Sequence, residues 1–227
     1  MEQSKKKKTI RTMSVMAVLI ALTIIFSFVS FSIGGPITFT ITFLIVAIGA
    51  IIYGPGMGAI LGLAFGLMSF VQAATYDAFG LYLFSINPFY TFLVCVPTRV
   101  LMGVLVGIIY KVFRVKKFSG KRYNVALLMA NISAPILNTT FFVTLLLCLF
   151  WNTDIIQGQV ADYESPIMFV LMFVGLNFLV EVVISILAGF TSSRKLLPAL
   201  SRYIGFSTKD ESDKNVLENA DNSIENK

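Results

Sequence analysis

Apolar residues come in long, nearly unbroken blocks, separated by short polar or turn-forming segments. The blocks predict helices from about Ile10 to Phe31, Thr38 to Tyr53, Met57 to Ala74, Pro88 to Phe113, Tyr123 to Trp151 and Pro166 to Phe190. A bilayer core about 30 Å thick takes roughly 20 apolar residues as a helix. Inside it every backbone polar group must be satisfied within the segment, which selects helices. The blocks are too long and too evenly apolar for the alternating strands of a transmembrane barrel. Gly34-Gly35-Pro36 and Gly54-Pro55-Gly56 mark tight breaks. A mixed connection from Thr75 to Asn87 and a polar, acidic one before Pro166 complete the pattern.

The expected fold class is therefore an all-α integral membrane protein, a six-transmembrane-helix bundle. Its divisions are a basic N-terminus over 1–9, a membrane domain over 10–205, and a polar tail over 206–227. The tail lacks apolar surface to bury and is expected to be disordered. Lys5 to Lys8 before an apolar run resemble a secretion signal, but that run is too long and no small-residue cleavage site follows.

Composition sharpens this picture. Of 227 residues, 56% are hydrophobic and 13% charged, and mean hydropathy is +0.82. Seventeen of the 18 basic residues flank the first helix, the loop near Lys116 or the end of the sixth helix. Six spans place all of them on one side, opposite Asp77, Asp154, Asp162 and Glu164. Basic residues prefer the cytoplasmic side, so both termini are expected there. Orientation then accounts for the net charge of +6, with no need for nucleic acid. Cys95 and Cys148 fall within apolar helices, and the chain has no histidine. No disulfide framework, metal site or cofactor is indicated. No phosphate-binding loop is present, and no Ser-His arrangement suggests a catalytic residue.

The remaining basic residue, Arg99, lies about 16 Å down the fourth helix at 1.5 Å per residue. Glu181 lies at a depth differing by roughly 6 Å in the sixth. A mid-membrane charge costs at least about 2.5–3.5 kcal/mol, so such groups pair or face a polar cavity. An Arg99–Glu181 ion pair and a direct ligand contact are both open. Asn131 and Asn138 share a face of the fifth helix, and Asn177 and Glu181 share a face of the sixth. Each could bridge helices or meet a ligand. Near the outer ends, Gln72, Asp77, Tyr82, Asn87, Tyr90 and Trp151 could form a mouth and lid. Interfacial anchoring is the alternative for Tyr and Trp. Ala17 and Ala21, and Gly58, Gly62 and Gly66, space small residues four apart for close helix approach.

The order of these features resembles the substrate-binding subunits of energy-coupling factor (ECF) transporters. The residues concerned are Ala17 and Ala21, the run Ile51 to Ala59, Pro97-Thr98-Arg99 with Gly103, Asn138-Thr139, and Asn177 with Glu181. The resemblance implies a subunit without its own ATPase site, in the cell membrane, that captures a vitamin from outside. It delivers the vitamin through a shared transmembrane coupling subunit driven by two ATPase subunits. It implies substrate contacts from Arg99, Asn138, Asn177 and Glu181, to which Asn87, Tyr90 and Asn131 are added from their positions along the chain, and it implies docking to the coupling subunit through Ala17 and Ala21. The run Phe79-Gly80 with Leu83 to Phe89 is most similar to the pantothenate subgroup. Another vitamin such as riboflavin, or an ion-coupled secondary carrier, is the alternative.

Overall fold

Among the described residues, four helices are long and apolar enough to cross a bilayer, namely Thr9–Ser27, Pro55–Thr75, Pro88–Phe113 and Arg122–Phe150. They belong to a computed structural model that describes residues 2–28, 30–32, 38–113, 121–154, 156–157 and 178–204. Helix α1 spans Glu2–Ser27, and a small antiparallel hairpin pairs β1 (Ser30–Ser32) with β2 (Thr38–Thr40). Then come α2 (Thr42–Tyr53), α3 (Pro55–Thr75), α4 (Ala78–Ile86), α5 (Pro88–Phe113) and α6 (Lys121–Phe150). Helix α7 covers 178–184, runs into a π-helical turn at Ser185–Phe190, and continues as α8, Thr191–Ile204.

The helices depart from the sequence expectation in five places. Helix α1 begins at Glu2 rather than Ile10, and it ends at Ser27 rather than Phe31, with Ser30–Ser32 in a strand. Nothing between Glu2 and Ser27 breaks a helix, and lysine is a good helix former. Thr38–Thr40 is strand rather than helix, in keeping with its β-branched threonines and phenylalanine. The connection before Asn87 contains α4, whose first turn is capped by the Asp77 carboxylate accepting from Gly80 N at 2.7 Å. The last helix does not stop near Phe190 but continues to Ile204. The expected Gly34-Gly35-Pro36 turn, the tail over 206–227 and most of the acidic connection lie outside the described residues.

Helices α3 and α5 form the closest pair, and glycine is the reason. A Cβ added at Gly58 would strike the Gly103 carbonyl, and one at Gly62 the Arg99 carbonyl. One at Gly66 would lie 2.8 Å from Val96 Cα. The two helices thus run antiparallel with main chain against main chain, the approach that small residues four apart permit. The glycine pattern of α3 is therefore an internal interface. Gly54, at φ 88°, occupies left-handed backbone in the break between α2 and α3, where a side chain would be strained.

Phe43, Leu61, Met102, Val106 and Leu127 are fully enclosed at the centre of the main core. A second cluster of Leu83, Val94, Leu146, Phe150 and Ile156 joins α4, α5 and the end of α6. On the outside, Ile10, Met13, Val18, Ile25, Val112 and Leu187 are exposed. Large apolar side chains turned outward on apolar helices suit a lipid surround. The fold is that of a membrane protein.

Candidate functional site

Helix α5 carries Pro97 in its interior, two residues before Arg99. Pro97 has no N–H to donate, and its ring disturbs the turn before it. One residue beyond the carbonyl that Pro97 leaves unbonded, Val94 O accepts from Thr98 Oγ1 at 2.6 Å and from Arg99 Nη1 at 2.8 Å. Arg99 Nη1 also donates to Thr98 Oγ1 at 3.0 Å. The guanidinium carbon sits 4.9 Å from the Phe142 ring centroid and 5.6 Å from that of Phe65. Such aromatic contacts stabilise a desolvated guanidinium by about 2 kcal/mol. Arg99 is 8% exposed, and its Nε has no hydrogen-bond partner among the described residues.

Facing α5 are the polar residues of α6 and α7. Asn138 is buried one turn from Phe142, and its Oδ1 is unpartnered. Glu181 is 3% exposed, with Thr139 beside its carboxylate and Oε2 unpartnered. Ser185, one turn beyond Glu181 and fully buried, likewise leaves its Oγ without a partner. Buried polar atoms are nearly always hydrogen-bonded, and one left alone costs about 1–3 kcal/mol. Among the described residues, α5, α6, α7 and the π-helical turn after it carry four such atoms. Arg99 and Glu181 are electrostatic neighbours, yet Arg99 Nε and Glu181 Oε2 do not bond to each other.

The other residues singled out from the sequence are placed differently. Asn131 is fully buried and bridges helices: its Nδ2 donates to Leu127 O at 2.8 Å and to Ser193 Oγ at 3.1 Å. Gly189 lies directly against its Oδ1, so α6 and the π-helical turn pack tightly there. Asn87 caps α5, its Oδ1 accepting from Phe89 N at 3.0 Å and Tyr90 N at 3.2 Å. Asn87→Ala is expected to lower stability by about 1 kcal/mol, whereas Asn87→Ser keeps the cap. Thermal unfolding of the two variants in detergent checks this. Tyr90 is exposed at 38% and packs edge-on against Phe150, ring centroids 6.1 Å apart. Asn177 lies outside the described residues.

Ala17 and Ala21 are both exposed. Helix α1 is held to the bundle along one stripe, Leu19, Thr23 and Ser27, and at its end by Gln72 Nε2 donating to Ser27 O. Among the described residues nothing therefore packs closely over the two alanines.

Sequence reasoning passed over Ser185 and Phe142, and it quoted Thr98 beside Arg99 without giving it a role. Helical spacing was the available signal: Ser185 is four residues from Glu181, and Phe142 four from Asn138. Among the described residues no cluster of His, Cys, Asp and Glu could hold a metal.

A family model described as "ECF transporter, substrate-specific component" matches residues 11–190. A search of curated proteins returns no match.

Proposed function

The chain belongs to the ECF transporter substrate-specific component family, and from that premise we propose that it captures pantothenate from outside the cell. Components of this family bind substrate and are not the catalytic subunits of their importers. Here the ligand is a vitamin, delivered through a shared transmembrane coupling subunit and two ATPase subunits. The chain crosses the cell membrane six times with both termini cytoplasmic, the membrane domain occupying 10–205. A basic N-terminus over 1–9 and a polar tail over 206–227 flank it.

The observation that carries the binding reading is the group of unpartnered buried atoms on Arg99, Asn138, Glu181 and Ser185. A small-molecule site has this form, apolar and aromatic walls with a few placed polar groups. Pantothenate supplies a carboxylate, hydroxyls and an amide, which suit a cation beside several acceptors. Asn177, Tyr90, Asn87 and Asn131 complete the candidate set, the last two also holding helices in place. Ala17 and Ala21 are the docking face for the coupling subunit, a reading supported by their exposure among the described residues.

A ligand screen on the purified chain in detergent tests the reading. Pantothenate, riboflavin, thiamine, biotin, folate and hydroxymethylpyrimidine would each be added before thermal unfolding. A ligand at 100 times its Kd stabilises the folded state by about 2.7 kcal/mol. Pantothenate is expected to raise the midpoint and the others to leave it unmoved. A shift with riboflavin alone would transfer the chain to another substrate, and no shift with any vitamin would remove the reading.

A further inference from the structure

Helix α8 is two-faced. Ser193 and Leu197, four residues apart, are buried against the bundle, while Arg194, Lys195 and Leu196 between them are exposed. The depth of the two cations follows from their neighbours. Asn131 Nδ2 donates to Ser193 Oγ, and Gly189 lies against Asn131 and Leu44. Asn131 is about nine residues from Arg122, where the apolar stretch of α6 begins. Helix α8 runs antiparallel to α6, bringing Leu197 into the core cluster that holds Leu127, and Arg194 toward Tyr123. Arg194 and Lys195 therefore stand roughly 10 Å short of the Arg122 end of that stretch, at 1.5 Å per residue. Helix α2, level with Gly189 at Leu44, likewise runs past them to Tyr53. Two exposed cations thus lie beside apolar helices and not beyond their ends.

Hydrocarbon makes such a position costly. A long cationic side chain relieves the cost by reaching toward the surface, or by drawing polar headgroups down to it. Arg194 does the first, since its electrostatic neighbour Tyr123 adjoins Arg122. The protein offers little for the second. Of the elements packed most closely against α8, namely α1, α2, α6 and the π-helical turn, only α1 contains an acidic residue, Glu2 in its first turn.

We infer that an anionic phospholipid of the inner leaflet supplies the missing anion, its phosphate held by Arg194 and Lys195 and an acyl chain lying along Leu196. The guanidinium presents a planar fork to two phosphate oxygens, and the ammonium adds a point charge. Leu196, 41% exposed beside the cations, gives an apolar contact that a free phosphate cannot use. Helix α7, the π-helical turn and α8 are continuous, so the lipid holds the inner end of the helix that carries Glu181. The inference takes from the proposed function only the orientation in the membrane, and it is independent of which vitamin binds.

Native mass spectrometry of the full chain in detergent tests it with two lipids of identical acyl chains, phosphatidylglycerol and phosphatidylcholine. Each cation near the surface is worth about fivefold in attraction to an anionic headgroup, so two predict a preference of about thirtyfold for phosphatidylglycerol. Arg194→Gln combined with Lys195→Gln should remove the preference. Lys111→Gln takes one exposed charge from the inner end of α5 and should leave it unchanged. Leu196→Gln keeps both charges and should weaken both lipids alike. Inorganic phosphate at the lipid's concentration should not displace it.

Equal affinity of the unaltered chain for the two lipids overturns the inference. A loss in Lys111→Gln as large as in Arg194→Gln alone also overturns it, because the effect would then belong to diffuse positive charge. Displacement by inorganic phosphate would make this a site for a soluble anion and overturn the lipid as its occupant. If the double variant does not fold, Arg194→Gln and Lys195→Gln singly should each lose about fivefold, and no loss in either overturns the inference. None of these results bears on vitamin capture, which the ligand screen tests separately.

Discussion

Gly62→Leu is expected to abolish the folded protein. The new side chain would start where the Arg99 carbonyl of α5 already stands. An extra methylene in a well-packed core costs about 1–3 kcal/mol when neighbouring side chains can shift. Here the obstacle is the main chain of a 26-residue helix, which gives way only as a unit. The cost therefore exceeds that range and approaches the whole stability of a domain, about 5–15 kcal/mol. Size-exclusion chromatography of the detergent extract should lose its symmetric peak. Gly56→Leu is the control: an added Cβ there meets nothing within 4 Å, and the peak should survive. A normal peak for Gly62→Leu would mean that α3 and α5 stand farther apart than described.

Ala17→Trp combined with Ala21→Trp should stop uptake in cells while leaving vitamin binding by the isolated chain unchanged. Both alanines are exposed on α1, between the exposed Met13, Val18 and Ile25. Bulk added there meets lipid in the isolated chain, and a partner helix only when the coupling subunit docks. Small residues four apart allow the closest helix approach, and two indoles remove it. Co-purification with the coupling subunit should fall with uptake. Loss of vitamin affinity instead would mean that this face packs within the bundle.

The sequence was most legible where punctuation is strong. Pro88 opens α5 as expected, and the Gly54-Pro55-Gly56 break and the basic loop bound α3 and α6 within two residues. Helix α4 was not legible, because nine residues of mixed character after an aspartate also describe a connection. Its cap, Asp77 to Gly80 N, became visible only in three dimensions. The site was half legible. Depth along a helix follows from counting, so Arg99 and Glu181 could be brought to similar levels. Which edge of the guanidinium is spent and which is free depends on the carbonyl of Val94 and on the rotation of α5. Helical periodicity gives a residue's face but not its partner. Asn131 and Asn138 share one face in the sequence, yet the first bonds Ser193, 62 positions away, and the second has an unpartnered oxygen.

The contact of glycine against main chain also bears on how the site can change over evolutionary time. With the Arg99 carbonyl pressed on Gly62, the backbone position of Arg99 is tied to that of α3. Mutations that would move that backbone must first part the helix pair. Exchange of the Arg99 side chain, or of those of Asn138, Glu181 and Ser185, leaves both main chains where they are. A site of this build can diverge in chemistry while the scaffold that carries it is inherited unchanged.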